Sequence, residues 1–168
     1  MALNKETPDV VWKERLTPFE YTVLREKGTE PRHGEYDSFY PKPGEGHFAC
    51  RGCGKPLYSA ESKFKSGCGW PAFDKCYKGS VETTEDVSHG MRRIEITCAG
   101  CGGHLGHGAL PAPLTIATHR STIEMYPVAV FVGEGMTQTN ERHCVNSPSI
   151  KFVNGASAKL EEEIVAAK

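Results

Sequence analysis

Two cysteine knuckles, Cys50-Arg-Gly-Cys53 and Cys98-Ala-Gly-Cys101, restrict this chain more than any other feature. Two thiolates separated by two residues can reach one tetrahedral metal from a single turn, and the glycine in each knuckle lets the backbone fold beneath it. Together the knuckles offer four sulfurs, a closed shell that suits a structural rather than a catalytic ion. The 44 residues between Cys53 and Cys98 exceed the usual zinc-ribbon separation. The knuckles are therefore expected to be brought together by sheets and to clamp them. The competing reading, a pair of thioredoxin-like redox motifs, lacks the strand-to-helix junction flanked by apolar runs that such motifs occupy.

There are seven cysteines, an odd number, behind a start (MALNKETPDVVWKERL) without the apolar stretch of a signal peptide. That combination argues against a disulfide scaffold and for metal or redox chemistry. A cytosolic or nuclear location is expected. The net charge of −1 gives no global attraction to nucleic acid or membrane, and no apolar run approaches the roughly 20 residues that span a bilayer.

Thr17-Pro18-Phe19-Glu20 is a capping box with proline at the first helical position, and Gly28 can end the helix it opens. A short helix before it is also expected. Residues 29–46, rich in Gly, Pro and charge, read as an irregular wrap. Short strands are predicted at 47–49, 56–58, 81–83, 93–96, 128–131 and 150–152, spaced as in small antiparallel sheets. The tail 156–168 can form a terminal helix with a thin apolar stripe.

Three cysteines stand outside the knuckles. Cys68, in SGCGWPAF, lies between glycines that leave its thiol accessible; a small residue in a tight turn is the equal alternative. Cys144, in ERHCVNS, follows Arg142, whose charge favours thiolate, and precedes Asn146, which can orient a reacting group. Cys76 has no assignable role. His104 and His107, in HLGH just after the second knuckle, can position substrate or move protons, or can be plain surface histidines.

In combination, CxxC, SGCGWPAF, SHGMRRIEITC, CxxC, HLGH and ERHCVNS resemble the B-type methionine sulfoxide reductases, from about Trp12 to about residue 152. The resemblance implies two small antiparallel sheets facing each other, short N-terminal helices outside, and zinc held by Cys50, Cys53, Cys98 and Cys101. It implies that Cys144 attacks the sulfur of methionine R-sulfoxide and that Cys68 resolves the resulting sulfenic acid as a disulfide. Thioredoxin or a similar dithiol then restores the thiols of what is expected to be a monomer. It further implies that Trp70 packs on the substrate S-methyl group. His104, His107, Arg142 and Asn146 form the polar side, and Glu134 orients His107 or Arg142. His143 stands where an aromatic residue is usual.

The likeness is interrupted after His107. Residues 108–129 separate HLGH from its expected continuation at Val130. They read either as a surface loop that narrows access to the site or as a stretch foreign to the natural mature protein, such as a retained intron.

Overall fold

The computed structural model describes residues 2–87, 93–109, 135–139, 141–156, 158 and 160–163. Two helices open it, α1 (Asp9–Arg15) and α2 (Pro18–Glu26). The expected capping box forms: the Glu20 N–H donates to Thr17 Oγ1 at 3.3 Å and the Thr17 N–H donates to Glu20 Oε2 at 2.9 Å. The helix ends one residue before the expected Gly28, because Lys27 itself takes the left-handed conformation (φ 58). That conformation costs a non-glycine residue about 1–2 kcal/mol; here the lysine ammonium makes a 2.6 Å ion pair with Glu95. Among the described residues no helix is long and apolar enough to cross a membrane.

The protein is otherwise β-structure, as expected. Strands β1 (Gly46–Cys50), β2 (Pro56–Ser59) and β10 (Ile150–Asn154) form a sheet in the order β10-β1-β2. A second sheet joins β3 (Lys63–Phe64), β4 (Ala72–Phe73) and β9 (His143–Cys144) in the order β3-β4-β9. The third is a meander of β6 (Val81–Asp86), β7 (Arg93–Cys98) and β8 (His104–Ala109). Three small three-stranded antiparallel sheets, rather than two, thus carry most of the described strands. Very short strands such as β4 and β9 build a separate layer beside the site.

The core between them is aromatic and aliphatic. Phe48, Phe73, Tyr58, Ile94, Ile96 and Leu105 are fully buried, with the Tyr58 and Phe73 rings stacked at 4.1 Å. Cys76 belongs to this core. Residues 28–45 contain neither helix nor strand, as the wrap reading requires, and Thr29 and Arg32 among them line the cleft described below.

The described part of the tail departs from expectation. Instead of a helix, Glu162–Glu163 form a short strand, β11, paired with β5 (Cys76–Tyr77). Ion pairs from Lys75 to Glu162 (2.8 Å) and from Lys78 to Glu161 (3.0 Å) favour the extended form over a helix with so little apolar surface. Of the segment 108–129, Gly108 and Ala109 continue β8 in register with Ile94 and Arg93. Residues 110–129, the strand predicted at 128–131 and Glu134 lie outside the described residues.

Candidate active site

Each knuckle is the turn of a hairpin. The first joins β1 to β2, with the Cys50 N–H bonded to Lys55 O (2.8 Å) and the Gly54 N–H to Cys50 O (2.9 Å). The second joins β7 to β8 with the same pattern, Cys98 N–H to Gly103 O (2.9 Å) and Gly102 N–H to Cys98 O (2.7 Å). Gly54 and Gly102 both adopt positive φ (80 and 71). Gly52 is required for another reason, since a Cβ there would lie 2.6 Å from the buried Trp12 ring of α1.

The two turns face each other, and the four Sγ atoms of Cys50, Cys53, Cys98 and Cys101 all lie within 4.8 Å of one another. Cys50–Cys101 and Cys53–Cys98 are each 3.6 Å apart. A tetrahedron with 2.3 Å metal–sulfur bonds has edges of about 3.8 Å. The donor set and its spacing therefore fit a single metal ion.

The second cluster of thiols forms where β4 meets β9. Residue Ala72 pairs with Cys144 and Phe73 with His143, and the Val145 N–H donates to Pro71 O at 3.0 Å. This pairing draws the SGCGWP loop alongside Cys144, and Cys68 Sγ lies 3.4 Å from Cys144 Sγ. Alternation along β9 sends the two neighbours to opposite faces. His143 turns into the core, between Tyr58 (3.3 Å) and Glu141 (3.1 Å), while Cys144 faces a cleft of about 330 Å³.

Arg142 Nη1 donates to Cys144 Sγ at 3.0 Å, and the Ser66 hydroxyl donates to Cys68 Sγ at 3.0 Å. Cys68 is held down at about 5, chiefly by the hydrogen bond from Cys144, with Ser66 and Arg142 adding to it against burial. Cys144 is pushed up by that same hydrogen bond and by burial, while Arg142 works in the opposite direction. The pair thus loses its first proton readily and keeps its second.

The cleft is walled by Trp70, Gly106, His107, Arg142 and the two thiols, with Thr29 and Arg32 of the wrap at its mouth. The Trp70 ring carries the Arg32 guanidinium at 5.3 Å and donates Nε1–H to Glu30 O at 3.1 Å. Strand β8 runs so close that a Cβ at Gly106 would collide with the Cys144 carbonyl oxygen. Only glycine allows β8 to lie this close to β9.

The two histidines reach the site through an irregularity in β8. Thr97 pairs with His104 and Ile96 with Gly106, so Leu105 is the extra residue of a bulge. His104 and His107 are three apart and would lie on opposite faces of a regular strand. The bulge places both on the face of Glu95 and Thr97, with ring centroids 4.4 Å apart. His107 borders the cleft and makes a 3.0 Å ion pair with Asp86. His104 is 1% exposed, behind it, with Nδ1 on Glu95 Oε1 at 2.9 Å.

Asn146 lines the cleft, but its amide is engaged by the backbone: Nδ2 donates to Leu105 O (3.0 Å) and Oδ1 accepts from Glu30 N–H (2.9 Å). The structure therefore gathers Cys68, Trp70, His107, Arg142, Cys144 and Asn146 at one cleft and sets His104 one layer back.

Sequence reasoning missed Glu30, Asp86 and Glu95. Glu30 is buried, accepts from the Ser147 N–H, and has its carboxyl pushed up by that burial. In RIEITC the alternation places Glu95 opposite Ile94 and Ile96, on what reads as a solvent face; Lys27 and His104 occupy that face instead. The acid found at His107 among the described residues is Asp86, whose place at the end of β6 gives no sign of it.

A mainly β domain with a four-sulfur clamp, and a dithiol beside a tryptophan and a cleft histidine, defines the class. A model of the SelR domain matches residues 16–124, and the chain belongs to that family. It is 47% identical over 151 residues to a protein of Oryza sativa subsp. japonica named peptide methionine sulfoxide reductase B5, covering 89% of this chain and 91% of that one. The chloroplastic peptide methionine sulfoxide reductase B2 of Arabidopsis thaliana is 46% identical over 153 residues, 90% of this chain and 61% of the longer relative. An uncharacterized protein of Schizosaccharomyces pombe is 41% identical over 159 residues, 94% of this chain and 98% of its own length.

Proposed function

We propose that this protein reduces the R epimer of methionine sulfoxide, in proteins and as the free amino acid, to methionine. The observation that supports this reading most directly is the 3.4 Å approach of Cys68 and Cys144, with Arg142 on the second sulfur and Trp70 beside both. The names of the relatives point the same way.

In this reading the pair enters as one thiolate and one thiol. Moving the shared proton to Cys68 places the negative charge on Cys144, where Arg142 stabilises it. The Cys144 thiolate attacks the sulfoxide sulfur, and His107 delivers one proton to the oxygen. The S–O bond of the substrate breaks as oxygen passes to the cysteine. Methionine leaves, reduced by two electrons, and Cys144 is left as a sulfenic acid, oxidised by two.

Cys68 then attacks the sulfenic sulfur, a disulfide forms, and the oxygen departs as water after taking up a proton. The two sulfurs need close only from 3.4 Å to about 2.05 Å. A thioredoxin or similar dithiol reduces the disulfide by exchange.

The Trp70 ring suits the soft methyl–sulfur end of the substrate, and His107 and Arg142 suit its oxygen. With methyl and oxygen assigned to different walls, the remaining chain can leave the cleft in only one hand. Zinc is the ion that four converging thiolates fit, held by Cys50, Cys53, Cys98 and Cys101; when bound, it cross-links two hairpins and leaves no open position for chemistry.

The test is to incubate the reduced protein with racemic methionine sulfoxide, without added dithiol. Loss of two thiols mapped to Cys68 and Cys144, with the S epimer left over, is expected. Unchanged thiols with metal retained would overturn the reading in favour of a zinc-stabilised binding module. Turnover that appears only after deletion of residues 110–129 would assign the inactivity to that segment.

A further inference from the structure

Behind the cleft histidine lies a buried arrangement that the mechanism above does not use. Glu95 sits in the middle of β7 and is 4% exposed. One carboxylate oxygen accepts from His104 Nδ1 at 2.9 Å and the other from the Lys27 ammonium at 2.6 Å. Burial pushes its carboxyl up, but the bonds from His104 and Lys27 outweigh that and hold it below its ordinary value. Glu95 is therefore an anion and can only accept.

The consequence falls on His104. A ring nitrogen facing a carboxylate must carry the proton, so the neutral ring is the Nδ1–H tautomer and its Nε2 holds a lone pair. That Nε2 is fully buried and has no hydrogen-bond partner among the described residues. With the other tautomer an N–H would be buried unsatisfied at the same place, at a cost of about 1–3 kcal/mol. The His104 ring packs at 4.4 Å and 45° against the ring of His107, the histidine that borders the cleft. Glu95 is also the direct cross-strand partner of His107 in the ladder.

We propose that Glu95 is a positioning residue of the reductase site, fixing the tautomer and plane of His104 so that His104 holds the His107 ring against the cleft. This rests on the function proposed above. Glu95 touches no substrate; it acts through two histidines, much as a buried acid sets the tautomer of a catalytic imidazole elsewhere. Lys27 extends the arrangement to the end of α2. Helix α2, which packs on β8 but contributes no residue to the described lining of the cleft, gains a second tie to it, and a left-handed lysine at the helix end has a reason to be there.

The deciding variant is Glu95→Gln, which keeps the shape but can present an amide N–H to Nδ1. Two readouts are needed. Imidazole 15N spectra of the metal-loaded protein report the tautomer of His104 without requiring turnover. Steady-state kinetics with methionine R-sulfoxide report the split between kcat and KM. The wild-type protein is expected to show His104 as Nδ1–H, and the variant to move toward Nε2–H. In the variant kcat should fall about 10- to 100-fold while KM stays within about threefold.

A variant that changes tautomer yet keeps kcat overturns the proposal, as does a wild-type His104 already in the Nε2–H form. If the wild-type protein fails to reduce either epimer, the function proposed above falls, and the spectra still decide whether Glu95 sets the tautomer. Should Glu95→Gln fold poorly, the wild-type spectra still test the proposal, which falls if His104 there is not the Nδ1–H form.

Discussion

Arg142 is the cation that faces the thiol pair and favours its charged form. Its guanidinium is buried and its Nη1 donates to Cys144 Sγ at 3.0 Å. Arg142→Met retains much of the stem that packs there but removes both the cation and the N–H. A hydrogen bond to a charged group contributes about 1.5–3 kcal/mol, equivalent to about one to two pK units. Both sulfurs are only half-buried, so solvent takes over part of the lost interaction and the lower end of the range is expected. Loss of a cation disfavours the thiolate, so the shift is upward. Cys68, held at about 5 in the intact protein, should lose its proton in the variant at about 6.

The assay is the full pH profile of alkylation by iodoacetamide, supported by thiolate absorbance in the ultraviolet. The midpoint is the quantity to read, because a more basic thiolate is also the stronger nucleophile and partly conceals the change in rate at any single pH. A midpoint that stays near 5, or falls, in a variant that still holds its metal and fold would refute the assignment of the charge to Arg142.

Three further outcomes follow from the same geometry. Gly106→Ala should destabilise the protein by about 1–3 kcal/mol in urea unfolding, because the new Cβ meets Cys144 backbone that cannot move aside; Gly54→Ala, with open space around it but positive φ, isolates the backbone contribution. Purified protein should contain one equivalent of zinc by elemental analysis. Its removal by a chelator should lower Tm by about 8–16 °C if even about 4 kcal/mol is lost, and an unchanged Tm would argue against the clamp. Glu30 binds its proton more tightly folded than unfolded, so it weakens the fold as pH rises from about 4.5 through its raised value. The stability of Glu30→Gln relative to wild type should accordingly increase between pH 4 and pH 7, and a flat difference would contradict the burial argument.

What could be read from the sequence was set by short-range covalent geometry. Two residues between cysteines bring their sulfurs to one turn whatever the rest of the chain does, so the metal cluster was legible, as were the capping box at Thr17 and the strands at 47–49 and 93–96. Cys68, Trp70, His107, Arg142 and Cys144 were recognisable because short motifs mark them, although their meeting at one cleft was an implication of resemblance. At Glu162–Glu163, the part of the tail seen as a strand, two ion pairs and a ladder to β5 outweigh a weak helical pattern.

Only the tertiary structure decided the rest, since it depends on register between distant strands. An extra residue at Leu105 turns two histidines, three apart, onto one face. The covering of β7 by Lys27 makes Glu95 a buried anion instead of a solvated one. The pairing of β4 with β9 points Cys144 at the cleft and His143 at the core. Each is a contact between segments tens of residues apart, and no local pattern encodes which strand lies beside which.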